Sequence, residues 1–196
     1  PNHWHSAMAI AACQAGKHAY VEKPVSHGIW EGRKMIEAQR KYKKVMQAGT
    51  QQLSCPAVIE CGKDLRSGKY GKVLWAHCLK INKRGPIGLR NEPMVIPENI
   101  DYNLWAGPGP MEPVYRNNLH YDWHWDLRWG NGEMGNWAVH FTSDLCHMLG
   151  WNRMPDSVIS AGGRFLWKDA ADAPNMLFSA MEHNGIPITV EIQNLT

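Results

Sequence analysis

Apolar residues recur at helical spacing in two stretches near the start of the chain. Residues 5–16 and residues 29–42 repeat them every three or four positions, and the second stretch has a charged opposite face. Each of these stretches is followed by a short apolar run typical of a strand, the first at residues 18–22 and the second at residues 45–49. Helix, strand, helix and strand with short connections predict a parallel α/β sheet.

Residues 1–50 supply only two strands of such a sheet. Two parallel strands alone would leave both edges and one face uncovered, which parallel sheets avoid. We therefore interpret this segment as the second half of a doubly wound domain, and expect the first half to precede Pro1 in a longer protein. Ser26 is predicted to cap the second helix.

The pattern changes after Thr50. A segment rich in Pro and Gly, residues 85–118, predicts a long loop of the kind used as a functional lid. The dipeptide Asn184-Gly185 predicts a hairpin turn. The predicted elements are helices at residues 56–67 and 136–149 and strands at residues 72–82, 157–167, 176–183 and 186–192.

These elements predict the α/β class with two domains. Residues 1–52 are expected to form the C-terminal half of a Rossmann domain. Residues 53–196 are expected to form an α+β domain with a large open mixed or antiparallel sheet, incomplete at its C-terminus. We see no internal repeat.

Composition excludes several classes of protein. Of 196 residues, 44% are hydrophobic and 20% are charged, which is typical of a globular protein. No apolar run approaches the roughly 20 residues that span a bilayer, so no membrane partner is expected. Basic residues are scattered apart from residues 40–44, and no nucleic acid partner is expected. Localisation stays unknown: cytoplasmic by default, with an exported form left open.

Lys23 is the first candidate for chemistry. It stands in Glu22-Lys23-Pro24, at the carboxyl end of the first predicted strand, where open α/β sheets bind ligands. Nearby dipoles could lower its pKa enough for proton transfer. An ordinary surface lysine before a turn is the alternative that the spacing leaves open.

His140 is the second candidate. Asn136, His140 and Asp144 are spaced by four residues on a predicted helix and would share one face. An imidazole between an amide and a carboxylate suits a general acid or base. A helical histidine satisfied within the fold is the alternative.

Aromatic and polar side chains alternate along a short segment, and its members are Tyr121, Asp122, Trp123, His124 and Trp125. Such a mixture suits a carbohydrate ring, whose C–H face stacks while its hydroxyls form hydrogen bonds. A covering strand with packed tryptophans is the alternative. The histidines lack the spacing of a zinc site, and no metal is expected.

Residues 130–135 match the GxGxxG pattern of dinucleotide-binding loops. That pattern binds phosphates only where it directly follows a buried strand. Residues 123–129 are too bulky and too charged for such a strand. We interpret the glycines as a flexible turn that leads into the His140 helix.

Several motifs in order resemble the Gfo/Idh/MocA oxidoreductases, the relatives of glucose-fructose oxidoreductase and inositol dehydrogenase. The motifs are residues 1–5 (PNHWH), 12–18 (ACQAGKH), 21–24 (VEKP), 101–108 (DYNLWAGP), 121–125 (YDWHW), 130–136 (GNGEMGN) and 139–140 (VH). The resemblance runs from Pro1 to about Leu195. It implies a Rossmann domain followed by an α/β domain, of which this chain would lack the glycine-rich N-terminal half.

The resemblance also implies roles for individual residues. Lys23 matches the lysine that assists proton transfer and contacts the nicotinamide side. His140 matches the histidine that takes the hydroxyl proton. The matches to the cofactor side are Pro1, Asn2, His3, His5, Glu22, Lys23 and Pro24.

Position 136 departs from the pattern, because many members have Asp one turn before the histidine. The amide of Asn136 cannot take a proton or stabilise an imidazolium as a carboxylate does, although Asp144 could supply that charge.

The implied function is an oxidoreductase that transfers a hydride between NAD or NADP and a sugar or polyol, with the chain by itself expected to be inactive. A glycoside-cleaving enzyme that keeps NAD bound and a non-catalytic sugar-binding member are the two alternatives. The resemblance further implies a homodimer or homotetramer formed through the open face of the sheet. Which sugar is used, and whether NAD or NADP is preferred, the sequence leaves undecided.

Overall fold

Helices and strands alternate along the first 50 residues, as predicted. A computed structural model describes residues 1–195 of the protein. Its helices and strands are α1 Asn2–Gln14, β1 Ala19–Glu22, α2 Ile29–Tyr42, β2 Met46–Gly49, α3 Pro56–Arg66, β3 Ala76–Ile81, α4 Tyr102–Ala106, α5 Val139–Leu149, β4 Ser157–Gly163, β5 Met176–His183 and β6 Ile186–Gln193.

The described residues divide into two compact units. The first unit contains Pro1–Gly49, Gly85–Asn136 and Leu166–Ala173, and the second contains Thr50–Arg84, Trp137–Phe165 and Pro174–Thr196. Both units are discontinuous in sequence. The predicted domains, residues 1–52 and 53–196, stay a prediction about the whole protein.

In the first unit, β1 and β2 form a parallel pair, with Glu22 beside Gly49 at their carboxyl ends. Helices α1 and α2 pack against these strands around a small core of Ala9, Val21 and Met35. Burial of these apolar side chains holds the four elements together. The predicted parallel α/β order is confirmed here.

Helix α1 begins at Asn2, three residues before the predicted start. Asn2 and His3 are buried. Their partners are distant in sequence: Asn2 Nδ2 donates to Asn131 Oδ1 over 3.0 Å, and the ring of His3 lies 5.0 Å from that of Trp129. Long-range contacts extend the helix over residues whose local pattern is not helical.

Helix α2 has the predicted bounds but not the predicted cap. Gly28, rather than Ser26, is its N-cap residue; because glycine has no side chain to cap the helix, only the Glu31 half of a capping box is present. Oε2 of Glu31 accepts from the backbone N–H groups of His27 and Gly28 over 2.9 and 3.3 Å, and from Ser6 Oγ of α1 over 3.0 Å. One carboxylate therefore orders the turn before α2 and joins it to α1.

We expect Glu31→Ala to destabilise the protein by about 1–2 kcal/mol, because three donors lose their acceptor. Urea unfolding followed by circular dichroism measures this change. Glu37→Ala, on the exposed face of the same helix where Glu37 pairs with Lys34, is the matched control and should cost less than about 0.5 kcal/mol. An equal loss of unfolding free energy in the two variants would contradict the stabilising role of the Glu31 hydrogen bonds.

The predicted long loop, residues 85–118, contains one short helix, α4, and one partner of a buried ion pair. Arg116 and Asp126 are both buried, with Nη1 of Arg116 3.1 Å from Oδ2 of Asp126. Arg128 joins them, with Nη2 2.7 Å from the same oxygen. The loop is thus a packed part of the first unit.

The second unit is a four-stranded sheet with the order β3-β6-β5-β4. β3 runs parallel to β6, and the other two pairs are antiparallel. The predicted mixed sheet is confirmed. Asn184 and Gly185 link β5 and β6 with positive φ angles of 54° and 73°, as an Asn-Gly hairpin turn requires.

Helices α3 and α5 pack closely in the second unit. A Cβ on Gly62 would lie 3.1 Å from Cα of Met148, which is tighter than an ordinary contact, so a larger residue would require the two helices to shift by a few tenths of an ångström. Arg66 of α3 donates to the backbone oxygens of His147 and Met148 over 2.7 and 2.9 Å, and satisfies the carboxyl end of α5. Over residues 1–195 no helix is both long enough and apolar enough to cross a membrane.

Candidate active site

Lys23 follows β1 directly, and its ammonium is held by one residue. Nζ donates to the backbone oxygen of Asn136 over 2.6 Å and to Oδ1 of the same residue over 2.9 Å. The side chain is half-buried. Loss of solvent lowers the pKa of Lys23, and the carboxylates of Glu22 and Glu133 act in the opposite direction. Lys23 is therefore not an ordinary surface lysine.

Glu133 is a site residue that the sequence reasoning missed. It is 2% exposed, and its Oε2 lies 3.4 Å from Nδ2 of Asn136, which is 8% exposed. The amide of Asn136 thus lies between an ammonium and a carboxylate. A signal was present in the sequence, since an acidic residue stands among glycines three positions before Asn136.

A network of side chains fixes the segment that leads into Asn136. Nδ2 of Asn131 donates to the backbone oxygen of His27 over 2.9 Å, and Asn131 also accepts from Asn2. A Cβ on Gly135 would lie 2.5 Å from Cβ of Asn131 and 3.3 Å from Cγ of Pro24. Close packing at Gly135 therefore brings the loop against the turn that contains Lys23.

Three of the residues matched to the cofactor side surround this turn. Nδ1 of His5 lies 2.6 Å from the backbone oxygen of Pro24, and because a carbonyl only accepts, that nitrogen carries the proton. Burial lowers the pKa of His5. The Lys23-Pro24 peptide bond is cis. The carboxylate of Glu22 lies over Gly49, where a Cβ would approach it to 2.9 Å.

The other residues matched to the cofactor side, Pro1, Asn2 and His3, make their observed contacts within the protein. His3 is buried, and its two ring nitrogens lie 3.3 and 3.2 Å from the backbone oxygens of Trp129 and Trp105. Asn2 is buried as well. Pro1 is the N-cap residue of α1. A direct cofactor contact by Asn2 or His3 stays a prediction, and the observed contacts are with the protein.

His140 and Asp144 lie on α5 in the second unit, one turn apart. Asp144 is buried, and loss of solvent raises its pKa, while His140 and His147 act in the opposite direction. Oδ1 of Asp144 has no hydrogen-bond partner among the described residues. The ring of His140 lies 6.2 Å from that of Trp137, over which Nζ of Lys80 lies at 3.9 Å.

The predicted helix from Asn136 onward is wrong at its start. Residues Met134–Ala138 form a π-helical turn, and the α-helix begins at Val139. The four-residue spacing therefore describes His140 and Asp144 but not Asn136, because a π turn has more residues than an α turn. The structure brings Asn136 to Lys23 in the first unit.

The aromatic segment is a 3₁₀ helix, Asp122–Trp125, rather than an extended covering strand. Tyr121 is exposed, and the rings of Trp123 and His124 stack with centroids 3.7 Å apart. Nδ2 of Asn118 donates to Asp122 over 2.8 Å. Trp125 is 5% exposed and packs with Ile87 and Ala173, and its predicted contact with a substrate stays a prediction.

The glycine-rich segment at residues 130–135 is not a phosphate-binding loop. The 3₁₀ helix and a turn precede it, where a dinucleotide site would need a buried strand. A Cβ on Gly130 would lie 2.6 Å from the backbone oxygen of Trp123, so this glycine permits close backbone packing. Rejection of the pattern from sequence is confirmed. Within residues 1–195, no three His, Cys, Asp or Glu side chains are grouped to hold a metal ion.

Two family profiles match the chain. Residues 1–50 match an oxidoreductase family with an NAD-binding Rossmann fold, and residues 66–173 match the C-terminal α/β domain of the same oxidoreductase family. The chain belongs to the Gfo/Idh/MocA family. This membership confirms the resemblance and the α/β fold class inferred from the sequence.

Curated relatives of this Gfo/Idh/MocA chain include two dehydrogenases. It is 35% identical over 74 residues to levoglucosan dehydrogenase of Pseudarthrobacter phenanthrenivorans, a match covering 38% of the chain and 19% of that protein. It is 28% identical over 85 residues to inositol 2-dehydrogenase 1 of Saccharopolyspora erythraea, covering 43% of the chain and 25% of that protein.

Solved structures show the same fold over all of the Gfo/Idh/MocA chain. The WlbA dehydrogenase of Bordetella pertussis has a TM-score of 0.73 at 17% identity, and that of Chromobacterium violaceum has 0.72 at 17%. Both were solved with NADH and UDP-GlcNAcA. The chain spans 51% and 47% of these proteins, about half of their length.

Proposed function

We propose that the chain is part of an NAD(P)-dependent oxidoreductase that transfers a hydride between nicotinamide and a hydroxyl-bearing carbon of a sugar or polyol. Family membership and the levoglucosan and inositol dehydrogenases among its relatives support this activity. The single observation that carries the proposal is the ammonium of Lys23, held by two oxygens of Asn136 at the carboxyl end of β1.

The residues around Lys23 fit the nicotinamide side of a dinucleotide. They lie at the carboxyl ends of two parallel strands, where doubly wound sheets bind cofactors. Glu22, Lys23 and Pro24 would form the wall against the ring, with His5 holding the carbonyl of Pro24. When bound, the cofactor supplies hydride exchange.

Lys23 is suited to donate a hydrogen bond to the substrate oxygen. An ammonium has three N–H donors, and Asn136 accepts two of them. The third remains to orient a hydroxyl and to stabilise the oxygen as its proton leaves. Since loss of solvent lowers its pKa, Lys23 is also a stronger acid than a surface lysine.

We assign the removal of the hydroxyl proton to His140. Imidazole titrates near neutral pH and suits a general base. Asp144, one turn along α5, would favour the protonated form of the ring through its charge. Asn136 takes no proton, so in this proposal it orients Lys23 and is not itself an acid or base.

The substrate is proposed to contact the exposed part of the aromatic segment. Tyr121 and the stacked pair Trp123 and His124 offer ring surface, and Asp122 offers a hydrogen-bond acceptor. Sugars and polyols present both C–H and O–H groups to such a surface. Trp125 supports this surface from the core.

A panel of sugars and polyols tests the proposed activity in the full-length protein. Formation of NADH or NADPH with one of them is the expected result. Release of an aryl alcohol from an aryl glycoside without net NADH would favour the glycoside-cleaving alternative. Ligand binding without hydride transfer anywhere in the panel would favour the sugar-binding alternative.

We also propose that two copies associate through the open face of the four-stranded sheet. The paired strands place Leu79, Ile81, Phe178 and Ile159 on this face, and all four are exposed. Thr189, Glu191 and Gln193 of β6 lie on the same face between these strands, so the face combines apolar and polar side chains, as interfaces between protein subunits do. An identical face on a second copy would cover it in a two-fold dimer.

A charged residue introduced on this face should weaken the association of the two copies. We expect Phe178→Glu to shift the full-length protein toward the monomer, because an ionised side chain opposes burial of the face. Light scattering after size-exclusion chromatography measures the mass. Leu104→Glu, at an exposed position in the first unit, is the matched control. A parent protein that is already monomeric would contradict the proposal.

A further inference from the structure

Asn136 presents two chemically different ends to two charged groups. Its Oδ1 accepts from Nζ of Lys23 over 2.9 Å, and its Nδ2 points to Oε2 of Glu133 over 3.4 Å. A flipped amide would place donors against the ammonium and an oxygen against the carboxylate. Both contacts would be repulsive, so the charges on either side determine how the amide is oriented.

Glu133 is a buried carboxylate, and such a group needs compensation. It is 2% exposed, and buried charges in proteins are stabilised by hydrogen bonds and by opposite charges. The ammonium of Lys23 provides an opposite charge in the same unit, with Asn136 between the two. Lys23 is the cationic counterpart of Glu133. Its ammonium has lost solvent and donates its hydrogen bonds to the neutral Asn136.

We propose that Glu133 is a positioning residue for Lys23, which orients the Asn136 amide toward the ammonium and supplies the negative charge that residue 136 lacks. This inference rests on the proposed function only in assigning to Lys23 the hydrogen bond to the substrate oxygen. The arrangement of the three side chains is independent of any substrate.

Two carboxylates act on Lys23 within its unit. Glu22 precedes it in β1, and Glu133 directly precedes the π-helical turn that contains Asn136; both favour its charged form. Removing either charge should lower the pKa of Lys23 further. Glu22 is also assigned to the cofactor wall, so Glu133 gives the cleaner test of electrostatics.

Competitive acetylation of the full-length protein measures the pKa of Lys23 directly. Acetic anhydride is used at a series of pH values without cofactor or substrate, and mass spectrometry reads the Lys23 peptide. We expect Glu133→Gln, which keeps an acceptor for Asn136 but removes the charge, to lower the pKa of Lys23. At pH values below that pKa, a larger fraction of Lys23 would then be neutral, and its acetylation would be faster than in the parent protein.

A second experiment moves the negative charge from residue 133 to residue 136. In the double variant Glu133→Gln with Asn136→Asp, a carboxylate at residue 136 should return the labelling curve to that of the parent or to higher pH. Glu37→Gln, an exposed carboxylate on α2, is the matched control and should leave the curve unchanged. Circular dichroism establishes that each variant is folded.

The pH dependence of turnover gives an independent reading where activity is found. If turnover needs the protonated form of Lys23, the alkaline limb of the kcat profile moves to lower pH in Glu133→Gln, because the ammonium has lost a stabilising charge. A role limited to folding would change stability and leave this limb in place.

A labelling curve for Glu133→Gln that matches Glu37→Gln would overturn the inference. So would a double variant that fails to restore the parent curve. Because labelling needs no substrate, a failure of the proposed dehydrogenase activity would leave these results standing, and the two failures can be told apart.

Discussion

Lys23→Met in the full-length protein should lower kcat by roughly 10²–10⁴, the usual size of an acid-base contribution. Methionine keeps the length of the side chain and removes the ammonium that Asn136 holds through two oxygens. The buried Asn136 then keeps its other contacts, so the fold is expected to persist. Oxidation of the best polyol, followed by NADH absorbance under saturating substrate, measures the change.

The control for Lys23 is a lysine without such contacts. Lys17 is exposed on the turn after α1, and Lys17→Met should keep the parent kcat. Binding of NADH, measured by fluorescence, distinguishes lost chemistry from a lost cofactor. Unchanged turnover in Lys23→Met would end the assignment of this residue to catalysis.

Asp126→Ala should destabilise the protein by about 3–5 kcal/mol, the range measured when one partner of a buried ion pair is removed. Asp126 bonds to Arg116 at 3.1 Å and to Arg128 at 2.7 Å. Arg116 is 1% exposed and would be left with a buried, uncompensated charge. Burial already lowers the pKa of Arg116, and Asp126 acts in the opposite direction.

Glu112→Ala is the matched control for Asp126. Glu112 binds the outer end of Arg128 at 2.6 Å, but its side chain is 55% exposed. Solvent-exposed pairs contribute little, so the loss should stay below about 1 kcal/mol. Urea unfolding of both variants measures the difference, and similar midpoints would contradict the assigned importance of burial.

Local signals predicted the elements that depend on local chemistry. Helix α2 ran over the predicted residues because its apolar and charged faces mark them, although the sequence pattern placed the cap at Ser26 and not at Gly28. The hairpin at Asn184 and Gly185 followed from the positive φ angles that these two residue types accept. The lysine after β1 was found because strand ends in parallel sheets are a general place for ligands.

The features that the sequence did not predict depend on contacts between residues that are far apart in the chain. The start of α1 depends on partners of Asn2 and His3 that lie more than a hundred residues away. The π turn before α5 leaves no mark in the hydrophobic pattern, and it altered the row that had been expected to include Asn136. Trp125 differs from Trp123 only by its neighbours in three dimensions.

The discontinuity of the two units bears on how the protein can be divided. The backbone passes from one unit to the other five times between Pro1 and Thr196. No single cut in the gene therefore yields one intact unit. A truncated protein ending near Gly49 would leave Asn2, Lys23 and His27 without their partners Asn131 and Asn136. Exchange of the first unit between homologues should therefore require all three of its segments to be replaced together.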